Sequence, residues 1–178
     1  MSQPDVWLRG PVEGIDPMLQ PVAHGLLQAR EDVERVAAGL NDGDLWRKPG
    51  GAASVGFHLK HLIGATDRLL TYARGEPLSE TQRAWLAKEA GDFDPSEGIA
   101  GLVERFRGVV RGGLAQLRAT PVGSLSQART IGRAQLPTTV IGCLFHAAEH
   151  AARHAGQLIT TVNALRASER ATRPSSGR

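Results

Sequence analysis

Between Val140 and Val162 the chain is apolar and rich in alanine, yet histidines return at four-residue intervals, at His146, His150 and His154. On a helix each step of four residues rotates by only about 40°, so the three imidazoles stack along one face. The stretch is therefore committed to a helix with a single histidine-bearing stripe. His58 and His61 lie in a second apolar segment, which puts five of the six histidines in two short windows. Histidine is the commonest protein ligand for transition metals. One histidine on an apolar face is usually a hydrogen-bonded core residue, and His24, alone in its segment, keeps that reading. Three in register with two elsewhere point instead to a metal.

Helical spacing of apolar residues predicts three further long helices. Asp16-Pro17 opens the first, with Leu19, Val22, Leu26, Val33, Val36 and Leu40 inward, and Asn41-Asp42-Gly43 ends it. Ser54 caps the second, which runs to Ala73 before the stop at Gly75. Its inward face carries His58, His61 or Leu62, Ala65, Leu69 and Tyr72. Ser79-Glu80-Thr81-Gln82 reads as a capping box for a short connecting helix that ends by Gly91. Asp94-Pro95-Ser96-Glu97 signals the next long helix, up to Pro121, in which Gly108, Gly112 and Gly113 mark close helix approach or simply weaken the helix. Residues 121–137 read as a loop, and Pro137-Thr138-Thr139 opens the last helix, to about Leu165.

The expected organisation is an irregular arm over 1–15, one helical domain over 16–166 and a disordered tail over 167–178, with no convincing strand. Aromatics are only 4% of the chain, so the core rests on Leu, Val, Ile and Ala, which favours helices over a β-sandwich. The simplest closed arrangement is an all-α, four-helix bundle, a fold that builds metal sites from side chains on facing helices.

The net charge of +3 is mild, and part of it sits in the tail at Arg166, Arg170, Arg173 and Arg178. No basic stripe alternates with aromatics, so nucleic acid is not an expected partner. The stretch from Val140 to Val162 carries three histidines, Glu149 and Arg153, which excludes it as a membrane span. No charged start followed by an apolar run marks a signal peptide, and a cytoplasmic protein is expected. Cys143 is the one cysteine, so no internal disulfide forms.

Two histidines at i and i+4 aim at one point and leave a third ligand to another helix. His150 with His154, or His146 with His150, supplies the pair; His58 or His61 supplies the third. Three nitrogen donors with an open position suit catalytic zinc, and they also accept nickel or ferrous iron. His146-Ala147-Ala148-Glu149-His150 matches the inverted zinc-protease pattern H-x-x-E-H. Such proteases need a downstream acidic ligand, and Glu169 in the tail is the only acidic residue after His150, so the match is accidental. Haem is disfavoured by the lack of C-x-x-C-H and by the scarcity of aromatics.

Ser54-Val55-Gly56-Phe57-His58-Leu59-Lys60-His61-Leu62-Ile63-Gly64 resembles the second-helix motif of the DinB/YfiT-like superfamily. Glu149-His150-Ala151-Ala152-Arg153-His154-Ala155-Gly156-Gln157 resembles its final-helix motif, usually of the form H-x-x-H-R-G-Q. The resemblance spans roughly residues 16–166. It implies a four-helix bundle with a long crossover, commonly dimeric, and one divalent transition metal, Zn or Ni with Fe as an alternative, on His61, His150 and His154. His58 and His146 would then flank the ligands. This chain departs from the motif in that Arg153 precedes His154 and Ala155 follows it, which removes a cation from one side of the metal.

Gln157 and Cys143 lie seven positions either side of His150, displaced by only about 20° in projection. Gln157 can then hydrogen-bond a ligand imidazole, and Glu149 supports the site from position alone. Cys143 reads as pocket wall or buried core. The resemblance implies a metal-dependent thiol S-transferase acting on small electrophiles. The alternatives are a metal-dependent hydrolase and a non-catalytic metal-binding stress or interaction protein. The expected partners are a small-molecule thiol, an electrophile and a second copy of the chain. No general base can be named.

Overall fold

In the computed structural model, which describes residues 3–89 and 98–172, the capping residues start the helices much as their chemistry dictates. The Asp16 carboxylate accepts from the Met18 amide at 2.9 Å, and Pro17 begins a 3-10 turn that runs into α1 (Gln20–Ala37). Ser54 Oγ accepts from the Phe57 amide at 3.2 Å at the start of α2 (Val55–Arg74), and Gly75, at φ 76°, closes it. Ser79 and Gln82 exchange side-chain-to-amide hydrogen bonds at 3.1 and 2.9 Å, the reciprocal pair that opens α3 (Glu80–Glu89). α4 spans Ile99–Ala119. The capping signal at Asp94–Glu97 lies outside the described residues.

The last connection differs from the expected loop. Ala128–Ile131 forms β1 and Leu136–Thr139 forms β2, an antiparallel hairpin in which Ala128 faces Thr139 and Ile131 faces Leu136. Gly132 and Gln135 turn it with positive φ, and Arg129 Nε ties it to the Ala73 carbonyl at 2.9 Å. Pro137 and Thr138 thus belong to a strand rather than to a helix start. The cap is Thr139, whose Oγ1 accepts from the Gly142 amide at 3.1 Å as α5 (Val140–Thr172) begins. α5 continues past Leu165 through Thr172, into the segment expected to be tail, and residues 173–178 lie outside the described residues.

α5 packs against α1 and α2, and α4 packs against the same two helices. α1 and α2 therefore sit across the bundle from one another, and the link between them crosses it. This is an all-α four-helix bundle with a crossover, to which α3 and the hairpin are added. Leu26, Leu59, Leu62, Phe106, Leu144 and Leu158 fill its centre, each almost wholly excluded from water. Of the three glycines inside α4, Gly113 marks a close approach: a Cβ there would lie 3.1 Å from Leu70 and 3.3 Å from Leu26. Gly112 faces open space. Among the described residues no helix is long and apolar enough to cross a membrane.

Phe106 is fully buried and Phe145 is 59% exposed. Phe106→Ala is expected to cost about 3–5 kcal/mol in urea unfolding, whereas Phe145→Ala changes stability by about 0.5 kcal/mol or less.

Candidate metal centre

The packing of α2 on α5 brings imidazoles from both helices to one place. His61 Nε2 lies 2.8 Å from His150 Nε2. The His61 and His154 rings are 4.3 Å apart between centroids, and those of His150 and His154 are 4.5 Å apart. One ring nitrogen from each of the three lies within 4.8 Å of the other two. His61 is further confined by Phe57, one turn back on α2, whose ring stacks on it with only 7° between planes.

The protonation of His61 follows from its other neighbour. Its Nδ1 meets the carboxylate of Glu89, at the end of α3. A carboxylate can only accept, so Nδ1 donates, and the Nε2 lone pair is left facing His150. Glu89 is itself buried, and Arg68 Nη1 donates to its second oxygen at 2.6 Å. Burial pushes the Glu89 carboxyl up, but hydrogen bonds from His61 and Arg68 and the Arg68 charge outweigh it and hold it below the usual carboxylate range.

Burial pushes His150 and His154 down to about 4, with the neighbouring His61 adding to the effect. Both are therefore neutral near pH 7, the form that ligates metals. Their Nδ1 atoms are buried and have no hydrogen-bond partner among the described residues. Rings gathered around one point, with His61 and His150 meeting through their Nε2 atoms, are a set that a cation can complete. The three histidines can hold a metal ion, and an all-imidazole donor set suits zinc, nickel or iron better than a hard cation.

The other expected residues stand outside this cluster. His58 is buried, and its Nε2 pairs with Thr161 Oγ1 at 3.2 Å, while its ring lies 6.1 Å from that of His154. His146 is exposed, with Nδ1 3.2 Å from a Glu149 oxygen. Glu149 is engaged by Arg153 Nε at 2.9 Å, and the hydrogen bond from Arg153 holds its carboxyl low. Gln157 is exposed and makes no hydrogen bond to the triad among the described residues. Cys143 is buried beside Thr138 and Arg129, and burial pushes its thiol up. His24 Nε2 meets the Gly10 carbonyl at 3.1 Å, away from the site.

Sequence reasoning missed Glu89. The signal available was its spacing: Trp85 and Glu89 are four apart and share a face of α3. Trp85 Nε1 donates to the Lys60 carbonyl at 3.1 Å, which aims that face at α2. Arg68, the partner of Glu89, also lines a cavity of about 240 Å³ with Ile63, Gly64, Trp85, Arg105 and Val109.

A crystal structure of a conserved protein from Enterococcus faecalis is similar in fold, with a TM-score of 0.64 at 19% identity over 84% of this chain and 97% of that one. A DinB-like protein from Bacillus cereus matches with a TM-score of 0.59 at 17% identity, over 81% of this chain and 91% of that one. No curated protein matches the sequence. The family model of the DinB superfamily matches residues 26–158, a span that takes in His61, His150 and His154. The bundle, its crossover and the paired helix motifs thus have one explanation: the chain belongs to the DinB superfamily.

Proposed function

We propose that this chain binds one divalent transition metal, zinc or nickel with iron as an alternative, through His61, His150 and His154, and acts as a metal-dependent thiol S-transferase on small electrophiles. The convergence of three imidazoles from two helices carries this reading. A divalent cation there supplies the positive charge that keeps a thiol as its thiolate at neutral pH. His61, His150 and His154 bind, and Phe57 covers one face of His61. Glu89 keeps the proton on His61 Nδ1. The thiol proton goes to solvent, the sulfur forms a bond to the electrophilic carbon, and the leaving group departs with its electron pair. The low-molecular-weight thiol enters from the partly open side, where His61 retains 23% side-chain exposure.

Protein purified without an affinity tag is expected to carry close to one divalent ion per chain by elemental analysis. His150→Ala should remove it and His24→Ala should leave it in place. Metal retained by His150→Ala would refute the ligand set. A chain that binds metal but joins none of a panel of small thiols to an electrophile is a binding protein and not a transferase.

Acid acts on the metal-free chain in a definite direction. His150 and His154 titrate near 6.5 when unfolded and at about 4 when folded, so the unfolded state takes up protons first. Stability of the metal-free protein should fall as pH drops from about 6.5 to about 4 and then level off with respect to these two groups. In pH-dependent urea unfolding, the double variant His150→Ala/His154→Ala should show a shallower fall.

A further inference from the structure

We infer that Glu89 is a positioning residue for the metal site, and that docking of α3 and metal binding are a single linked equilibrium. The inference rests on His61, His150 and His154 being the ligands. Glu89 is 4% exposed, and both of its oxygens are engaged: one by His61 Nδ1, the other by Arg68 Nη1 at 2.6 Å, with Arg68 Nη2 3.3 Å from the first. A buried carboxylate is costly unless paired in this way. An imidazole that donates one ring N–H to a carboxylate is fixed in tautomer and orientation. The ring nitrogen so released, Nε2, is the one that faces His150 at 2.8 Å.

Few other residues seat α3. Its buried residue is the charged Glu89 itself. Trp85 is partly buried and bonded to the Lys60 carbonyl, and Gln82 donates to Asp67 and Thr71 at 2.7 Å. The helix therefore docks through these polar contacts and through the Trp85 ring packed against the core, while Leu86 on it is 48% exposed. α2 is shaped to receive it. A Cβ on Gly64 would lie 2.6 Å from each of Arg68 Nη1, Glu89 Oε2 and Trp85 Cδ1, so a larger residue there would push α3 away. His61, Gly64 and Arg68 follow one another at three- and four-residue spacing, so one face of α2 carries the ligand, the gap and the cation.

When α3 leaves, His61 loses the partner that fixes its ring. When a metal fixes His61, the ring is in turn held in place for Glu89. The coupling is reciprocal, as any binding linkage must be. The test uses the full chain, stripped of metal and titrated with Zn²⁺ and separately with Ni²⁺ against a competing chelator. Amide exchange over residues 80–89 is followed in parallel. In the wild type, metal should slow exchange across α3. Glu89→Ala should weaken metal binding about 10–100-fold and abolish that slowing. Glu89→Gln, which keeps an acceptor for the Nδ1 proton, should fall between. Trp85→Phe loosens α3 without touching His61 and should weaken binding less than Glu89→Ala does. Wild-type affinity in Glu89→Ala overturns the inference while leaving the ligand set standing. Equal losses in Trp85→Phe and Glu89→Ala overturn it too, since Glu89 would then merely hold a helix. A wild type that binds neither ion overturns the proposed function along with it.

Discussion

The close packing of α2 against α5 is the constraint on which the site depends. α5 meets its neighbours through small residues: Ala147, Ala151 and Ala155, at successive four-residue steps, are almost wholly buried. The histidine stripe runs one position ahead of the first of these and stays in register with all of them. The alanines let the helix backbones approach, and the imidazoles occupy the margin of the contact rather than its centre. Two rings of the triad, His150 and His154, keep a buried Nδ1 with no hydrogen-bond partner among the described residues, and each such nitrogen costs on the order of 1–3 kcal/mol when left unpaired. The leucine core around Phe106 offsets that cost.

The parts of this structure that could be read from the sequence were local. Asp16, Ser54, Ser79 and Gly75 act within three or four residues of themselves, and their chemistry works in the structure as it does on paper. The histidine stripe is equally local, since helical geometry alone aligns it. The choice of His61 over His58 was of another kind. Both sit on the inward side of α2, and spacing does not separate them; the resemblance did. The structure turns His58 toward Thr161 and His61 toward His150.

What could not be read depends on distant partners or on very short elements. The strands of the hairpin are four residues each, too few for an alternating pattern, and their apolar residues do not sort by burial, since Ile131 is half-buried while Leu136 is exposed. The last turns of α5 are charged and exposed and so lack the periodicity that marks the rest of the helix. Glu89 acts across 28 residues on His61. Nothing near it in the chain says that a carboxylate at the end of a short, mostly exposed helix will be buried. Its partner Arg68 was equally silent, as one charged residue among several on α2.

The charge around the triad bears on which fourth ligand a metal there would accept. His150 and His154 are neutral near pH 7, and Glu149, the nearest carboxylate in sequence, is held by Arg153 and His146. Glu89 is the one acidic group in hydrogen-bond contact with the triad among the described residues, and Arg68 offsets its charge. A divalent cation would therefore keep most of its charge, in a place where burial already disfavours protonated histidine. Such a centre favours an anionic ligand over a neutral one, and the preference grows as water is excluded. A thiol ionises within reach of a strong local charge, whereas an alcohol of far higher pKa does so much less readily. The chain supplies nitrogen donors and a neutralised carboxylate, so the negative charge at such a centre would come from the incoming ligand, which agrees with the thiolate of the proposed function.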